Sequence, residues 1–291
     1  MTQTQLPSKP LAPPIILRPS RGLGAINLKD LWAYRELIFF LIWRDIKVRY
    51  KQTLLGASWA VIQPVFQMVV YTLLFGNLAQ LDAEGNPYPI FNFTALLPWG
   101  LFQKALNDAG RSLVTNRNMI TKVYFPRLVI PVSSVVSGVV DFAIGFCVLI
   151  SMIIYFHNAQ GSGYQFALNV PGLLMLPFFV LFALLTALGF SLWLSAMNVI
   201  YRDIAHVLPF ITQMWFFITP IVYSSSVIPE KWRFLYAMNP MVGVVDGFRW
   251  ALLGKSAPEA TVWISVLVTM VVLVSGLYYF RRMERTFADT I

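Results

Sequence analysis

Residues 128–156 read LVIPVSSVVSGVVDFAIGFCVLISMIIYF and carry one charged side chain, Asp141. A helix rises about 1.5 Å per residue, so crossing a hydrocarbon layer of about 30 Å takes roughly 20 apolar residues. This stretch is longer than that. Lipid offers no hydrogen bonds to backbone N–H and C=O groups, so such a segment crosses as a helix that satisfies them internally. Working outward, five more segments meet the same requirement: Trp59 to Leu78, Phe91 to Ala109, Val170 to Met197, Val207 to Ile228 and Thr261 to Phe280. The Phe91 to Ala109 segment is interrupted by Gln103, Lys104, Asn107 and Asp108, a face that must meet protein or water. With 57% hydrophobic and 12% charged residues, the chain carries more apolar content than a soluble core needs. The expected fold class is therefore an all-α integral membrane protein with six transmembrane helices in a domain over 59–280.

Two segments are too short or too polar to cross. From Leu28 to Gln52, the apolar stretch Leu37 to Trp43 is flanked by Arg35, Arg44, Lys47, Arg49 and Lys51. This pattern predicts an amphipathic interfacial helix within 28–58, with its bases at lipid headgroups and Trp32, Phe39, Phe40 and Trp43 below them. Phe234 to Leu253 contains Asn239, Pro240, Gly243, Asp246, Gly247 and Arg249, and reads as re-entrant or interfacial. Residues 1–27 are polar and Pro-rich, show no signal peptide, and read as a disordered cytoplasmic tail. Residues 281–291 read as a second cytoplasmic tail.

The placement of basic residues orients this scheme. On one side lie Lys231, Arg233, Arg249 and Lys255, while Lys104 sits within a span; every other one of the 22 Lys and Arg residues falls on the opposite side. The positive-inside rule then puts both termini in the cytoplasm. The net charge of +9 reports topology and does not require nucleic acid as a partner. Prolines in or at the ends of the spans suit kinked transporter helices, though proline is common in membrane helices generally. Ser133, Ser134, Ser137, Gly138 and Gly145 form a small-residue seam for close helix packing.

The residues of catalysis are sparse. His157 and His206 fall at opposite ends of the expected topology, Cys147 is the single cysteine, and no HExxH, GxSxG or paired-carboxylate pattern occurs. No metal or cofactor site is expected in this chain. Gly254-Lys255-Ser256 imitates the end of a phosphate-binding loop, but Arg249 stands where that loop needs its first glycine. Transport energy must then come from an ion gradient or a partner ATPase. For ion coupling, the intramembrane candidates are Asp141 and the Lys104/Asp108 pair, which also fits simple charge neutralisation between helices. Tyr71, Phe75, Trp99, Trp215, Phe216, Phe217 and Tyr223 could line a glycan path, since sugar C–H faces stack on aromatic rings. Interfacial belts and packing are an equal reading for any one of them.

The segments WRDIKVRYKQTLLGASWAVIQP (Trp43 to Pro64), LLPWGLF (Leu96 to Phe102), NRNMITKVYFPR (Asn116 to Arg127), YRD (Tyr201 to Asp203), TPIVYS (Thr219 to Ser224) and MNPMVGVVDGFR (Met238 to Arg249) occur in one order. Together they resemble the polysaccharide-export permeases of the ABC-2 type, including O-antigen and teichoic-acid exporters, over about Asp30 to Arg282. The resemblance implies a homodimer in the bacterial inner membrane, joined by two copies of a nucleotide-binding subunit that holds ATP and Mg. Its cargo would be a lipid-linked polysaccharide moving outward, as in lipopolysaccharide biosynthesis. It also implies that Arg117, Met119, Ile120, Lys122, Val123, Tyr124, Phe125 and Arg127 form a coupling helix for that subunit. Arg44, Asp45, Arg49, Tyr201, Arg202 and Asp203 would lie at the cytoplasmic interface, and Pro229 to Leu253 would form outer gate helices. The alternatives are an ABC-2 permease for small lipids or drugs, a membrane enzyme acting on lipid-linked glycans, and an ion-driven carrier.

Overall fold

The computed structural model describes residues 28–51, 56–158, 169–254, 257–284 and 286–287. The expected N-terminal tail, the last residues of the C-terminal tail and the Lys255-Ser256 pair lie outside them. All elements among the described residues are helices. In chain order they are α1 (Leu28–Ala33), α2 (Arg35–Lys51), α3 (Trp59–Tyr71, extended by a wider winding over Thr72–Leu78), α4 (Tyr88–Thr115), α5 (Arg117–Lys122), α6 (Val129–Asn158), α7 (Val170–Ile200), α8 (Ile204–Ile218), α9 (Glu230–Ala237), α10 (Pro240–Leu253) and α11 (Val262–Met283).

Four helices are long and apolar enough to cross a membrane: Trp59–Leu78, Val129–Asn158, Val170–Ile200 and Val262–Met283. Helix α4, with 28 residues, is long enough but too polar, and α8 is apolar but has only 15 residues. The polarity of α4 is tolerated because the helix runs through the middle of the bundle, packed by α3, α6, α7, α8 and α10. Even Asn92 and Thr94 on it are fully buried. The small-residue seam of α6 receives α4: a Cβ on Gly145 would come within 2.6 Å of Leu97 Cδ1. Helices α7 and α11 also touch backbone to backbone, where a Cβ on Gly276 would lie 2.5 Å from the Gly189 carbonyl oxygen.

The structure departs from the sequence expectations at four places. The region expected to hold one interfacial helix is split by a turn at Tyr34 into α1 and α2. Helix α2 buries Leu41 against the bundle and leaves Phe39, Phe40 and Trp43 exposed, as α1 leaves Trp32. The segment over Phe234 to Leu253, expected as re-entrant or as short outer helices, does form short helices, α9 and α10, but the second is almost wholly buried in the bundle and not at an interface. Arg281 to Glu284 does not run free, because the Glu284 carboxylate accepts from the Arg127 backbone N–H (3.2 Å) and Phe287 is buried.

The fourth departure is the largest. The span expected over Val207 to Ile228 is helical only to Ile218, where Thr219 turns extended (φ −94°, ψ 142°). Pro220 disfavours the α conformation in the residue before it. Breaking a helix inside a membrane protein strips carbonyls of their partners, and side chains replace them here. Arg249 donates to the carbonyls of Ile221 (2.9 Å) and Tyr223 (3.1 Å), and Tyr88 Oη donates to that of Val222 (2.6 Å). The Arg249 guanidinium also lies 3.7 Å over the Phe91 ring, and the residue is only 4% exposed. Asn239 ties the same turn to α10, donating to Thr219 Oγ1 (3.0 Å) while its Oδ1 accepts from Met241 N (3.1 Å) and Trp215 Nε1 (2.9 Å).

Replacing Arg249 with Met keeps volume but orphans two buried carbonyls, each worth about 1–3 kcal/mol. The expected outcome is a markedly lower unfolding temperature in detergent, with no more than partial rescue by Arg249→Lys, whose single ammonium cannot span both oxygens in a fixed fork.

Candidate functional site

The most distinctive surface lies where α4 ends. The α-helix stops at Thr115, Asn116 takes a non-helical conformation (φ −98°, ψ 21°), and α5 makes under two turns before Val123 extends (φ −130°, ψ 134°). Apolar residues here divide sharply. Ile120 (6% exposed) and Phe125 (5%) are sunk among Leu41, Leu113, Leu128, Leu192 and Phe280, with Met119 partly buried beside them. Val123 and Tyr124, by contrast, are 58% and 77% exposed, flanked by exposed Arg117 and Lys122. Arg127 fixes the far side of the elbow, its guanidinium donating to the Glu284 carbonyl. Of the residues expected to meet a partner, Ile120 and Phe125 therefore seat the elbow and Val123 and Tyr124 remain available.

The α7–α8 turn lies at the same end. Tyr201, Arg202 and Asp203 are all exposed, and the turn is tied to α4 by Arg111 donating to the Ala205 carbonyl (2.6 Å) and Asn198 to the Gly110 carbonyl (3.2 Å). On α2, Arg44 and Asp45 pair with each other at 2.7 Å.

Arg49 turns away from that surface and into the bundle. It reaches Asp141 on α6 at 2.5 Å and Asp108 on α4 at 3.2 Å, while Lys104 stands 3.6 Å from Asp141 and 4.0 Å from Asp108. Tyr50 donates its hydroxyl to Asp141, and burial together with that bond pushes its phenol up to about 12, so it stays a neutral donor at any working pH. The charges that sequence reading considered for ion coupling are thus cross-paired, and Arg49, expected at the cytoplasmic interface, is their third-helix partner. Sequence spacing could reveal the Lys104/Asp108 pair on one helix, but nothing local links Arg49 to Asp141.

The seven candidate channel aromatics join one cluster. Tyr71 contacts Phe216 (ring centroids 5.3 Å apart) and Phe75 (6.0 Å), Phe216 contacts Trp99 (5.9 Å) and Phe217 (5.3 Å), and Trp215 packs on Phe102 (5.0 Å) and Phe190 (4.9 Å). Trp99 (2% exposed) and Phe216 (7%) are core residues of the single chain, whereas Phe217 is half exposed. Tyr223 donates to the Phe217 carbonyl (3.2 Å) and meets Tyr236 Oη at 2.9 Å. Burial and this bond raise the Tyr236 phenol well above its usual range.

A polar central helix, a broken helix and four long apolar helices make this a multi-spanning membrane protein, with an elbow that presents an apolar tip between bases. The chain belongs to the ABC-2 type transporter family, whose pattern matches residues 36–253. It is 29% identical over 269 residues to the O-antigen export system permease protein RfbA of Myxococcus xanthus, covering 91% of this chain and 98% of that one. Identity to an RfbA of Klebsiella pneumoniae is 24% over 256 residues, covering 88% and 95%. The polysialic acid transport protein KpsM of Escherichia coli is 23% identical over 245 residues, covering 84% and 92%.

The two halves of the elbow are separable. Phe125→Ala empties a buried ring site and should cost about 3–5 kcal/mol, whereas Tyr124→Ala, on the surface, should stay within about 0.5 kcal/mol. Thermal unfolding of the two variants in one detergent measures the difference.

Proposed function

We propose that this chain is the transmembrane subunit of an ATP-driven exporter that moves a lipid-linked polysaccharide across the bacterial cytoplasmic membrane. In this reading α3, α4, α6, α7, α8 with its following turn, and α11 are six spans. Both termini are cytoplasmic, and two copies of the chain assemble with two copies of a separate nucleotide-binding subunit. ATP and Mg belong to that subunit, and this chain transports without catalysing a reaction of its own.

The elbow carries the reading. A basic loop that served only to be solvated would have no use for Tyr124 held out by a buried Phe125 and Ile120. An apolar tip between Arg117 and Lys122 suits insertion into a cleft on a protein partner. Because α5 continues directly from α4, a displacement of the tip acts on the most enclosed helix of the bundle. The cargo follows from the relatives, named for O-antigen export and polysialic acid transport. Phe217 and Tyr223 would face the glycan as it passes between two copies, while Trp99, Trp215 and Phe216 back them.

The test is Val123→Asp with Tyr124→Asp. The variant should insert and unfold at the wild-type temperature, but lose co-purification with the ATPase and export of the glycan. Unimpaired export overturns the docking role. In inverted vesicles holding the wild-type complex, ATP should shield a lipid-linked glycan from an external glycosidase; transport of a short-chain lipid without the glycan would overturn the cargo.

A further inference from the structure

The stretch from Val123 to Pro126 belongs to no helix, so the direction of the Tyr124 tip depends on how its two ends are tied. At the near end Val123 N donates to the Met119 carbonyl (3.1 Å), and α5 continues from α4. Burial of Phe125 holds the middle, but apolar burial is non-directional. The far end is fixed by hydrogen bonds to a helix remote in sequence. Arg127 opens the turn into α6, where a backbone N–H has no partner within its own helix. The Glu284 carboxylate takes it through Oε1 (3.2 Å), while its Oε2 accepts from Arg281 (2.7 Å). The Arg127 guanidinium in turn donates to the Glu284 carbonyl, which the end of α11 cannot pair by itself. Each residue thus caps the other's helix, and each charge lies at the helix end whose dipole favours it. The clasp is enclosed: the Arg281 and Glu284 side chains are 22% and 18% exposed, and the buried rings of Phe280 and Phe287 meet edge to face beside it.

Helix α11 is itself locked to α7. Tyr279 stacks on Trp193 (ring centroids 4.3 Å apart), Trp193 Nε1 donates to Ser275 Oγ (3.2 Å), and Gly276 meets the Gly189 backbone. Helix α7 then runs through the Tyr201 to Asp203 turn into the broken helix α8. A packed path therefore leads from Arg127 to α8 without passing through α4. We propose that Glu284 is the positioning residue of the elbow: through its clasp with Arg127 the docking tip drives α11 and α7 as well as α4, and without it ATP hydrolysis runs uncoupled from export. The inference rests on the docking role of the elbow and adds a second route by which docking reaches the spans. Glu284 acts through Arg127 and makes no contact of its own with the partner.

Two measurements on Glu284→Ala and Glu284→Gln separate the clasp from its consequence. In the full chain without its partner, hydrogen exchange read by mass spectrometry over residues 123–130 should show one amide exchanging about tenfold faster in Glu284→Ala. Glu284→Gln, whose amide oxygen still accepts from Arg127, should exchange nearly as the wild type does. In proteoliposomes holding the complex with the ATPase, glycan exported per ATP hydrolysed should fall about fivefold in Glu284→Ala and recover in Glu284→Gln. A residue that served stability alone would scale export and hydrolysis together and leave that ratio fixed. If Glu284→Ala does not fold, Arg281→Met, which removes the carboxylate's second anchor, should give both effects in milder form, and an unchanged ratio there overturns the proposal. Faster exchange in Glu284→Ala with an unchanged ratio overturns it while the docking role stands, and wild-type exchange in that variant overturns the clasp itself. If Val123→Asp with Tyr124→Asp leaves the ATPase bound and export intact, the docking role falls and this inference with it.

Discussion

In a membrane bundle a backbone carbonyl that leaves helical geometry needs a donor from the protein, and the described fold is organised around a place where a helix fails to supply it. Past Ile218 the chain leaves helical geometry, and Ile221, Val222 and Tyr223 would present three successive bare carbonyls. Arg249 and Tyr88 fill all three. These donors come from α10 and from the first residue of α4, so closing the break also fixes where both helices sit. Asn239 closes the same junction from the start of α10. A charged guanidinium is tolerable at 4% exposure because its hydrogen bonds go to carbonyls and its face lies on Phe91.

The same logic explains why the most polar long helix is the most enclosed. Helix α4 keeps Asn92, Thr94, Lys104 and Asp108 out of lipid by being surrounded, and its ionisable pair is shared with Asp141 of α6 and Arg49 of α2. Membrane helices gain little from burying apolar surface against each other, since lipid is equally apolar. Specific contacts decide the packing instead: Leu97 on Gly145, Gly276 on Gly189, and the four-charge cluster.

Hydropathy made the four long apolar helices legible to within a few residues, because a helix must be apolar wherever it faces lipid and its length is set by the bilayer. What sequence could not disclose were the pairings across the bundle. TPIVYS and MNPMVGVVDGFR read as separate motifs, yet Arg249 of the second completes the backbone of the first. The break at Thr219–Pro220 is masked in the sequence because the apolar run to Ile228 has the composition of an unbroken span. Phe125 and Tyr124 are adjacent and both aromatic, and only the turn after α5 decides that one is buried and the other displayed. Arg49 lies among other bases on α2, and its inward direction depends on Asp141, 92 residues away.

The two special regions are joined by a single element. Helix α4 begins with Tyr88, whose hydroxyl holds the broken helix at Val222, and ends in the elbow that displays Tyr124. Its 28 residues make it about 42 Å long at about 1.5 Å per residue, enough to reach from one face of a bilayer to the other. In the proposed exporter a partner that moves the elbow pulls on a rod whose opposite end is hydrogen-bonded to the only interrupted span among the described residues. The cross-paired charges halfway along require that α2 and α6 move with it or that the pairs exchange partners. Lys104, already between two carboxylates, is placed for exchange, whereas Arg49, bonded to both α4 and α6, opposes their separation.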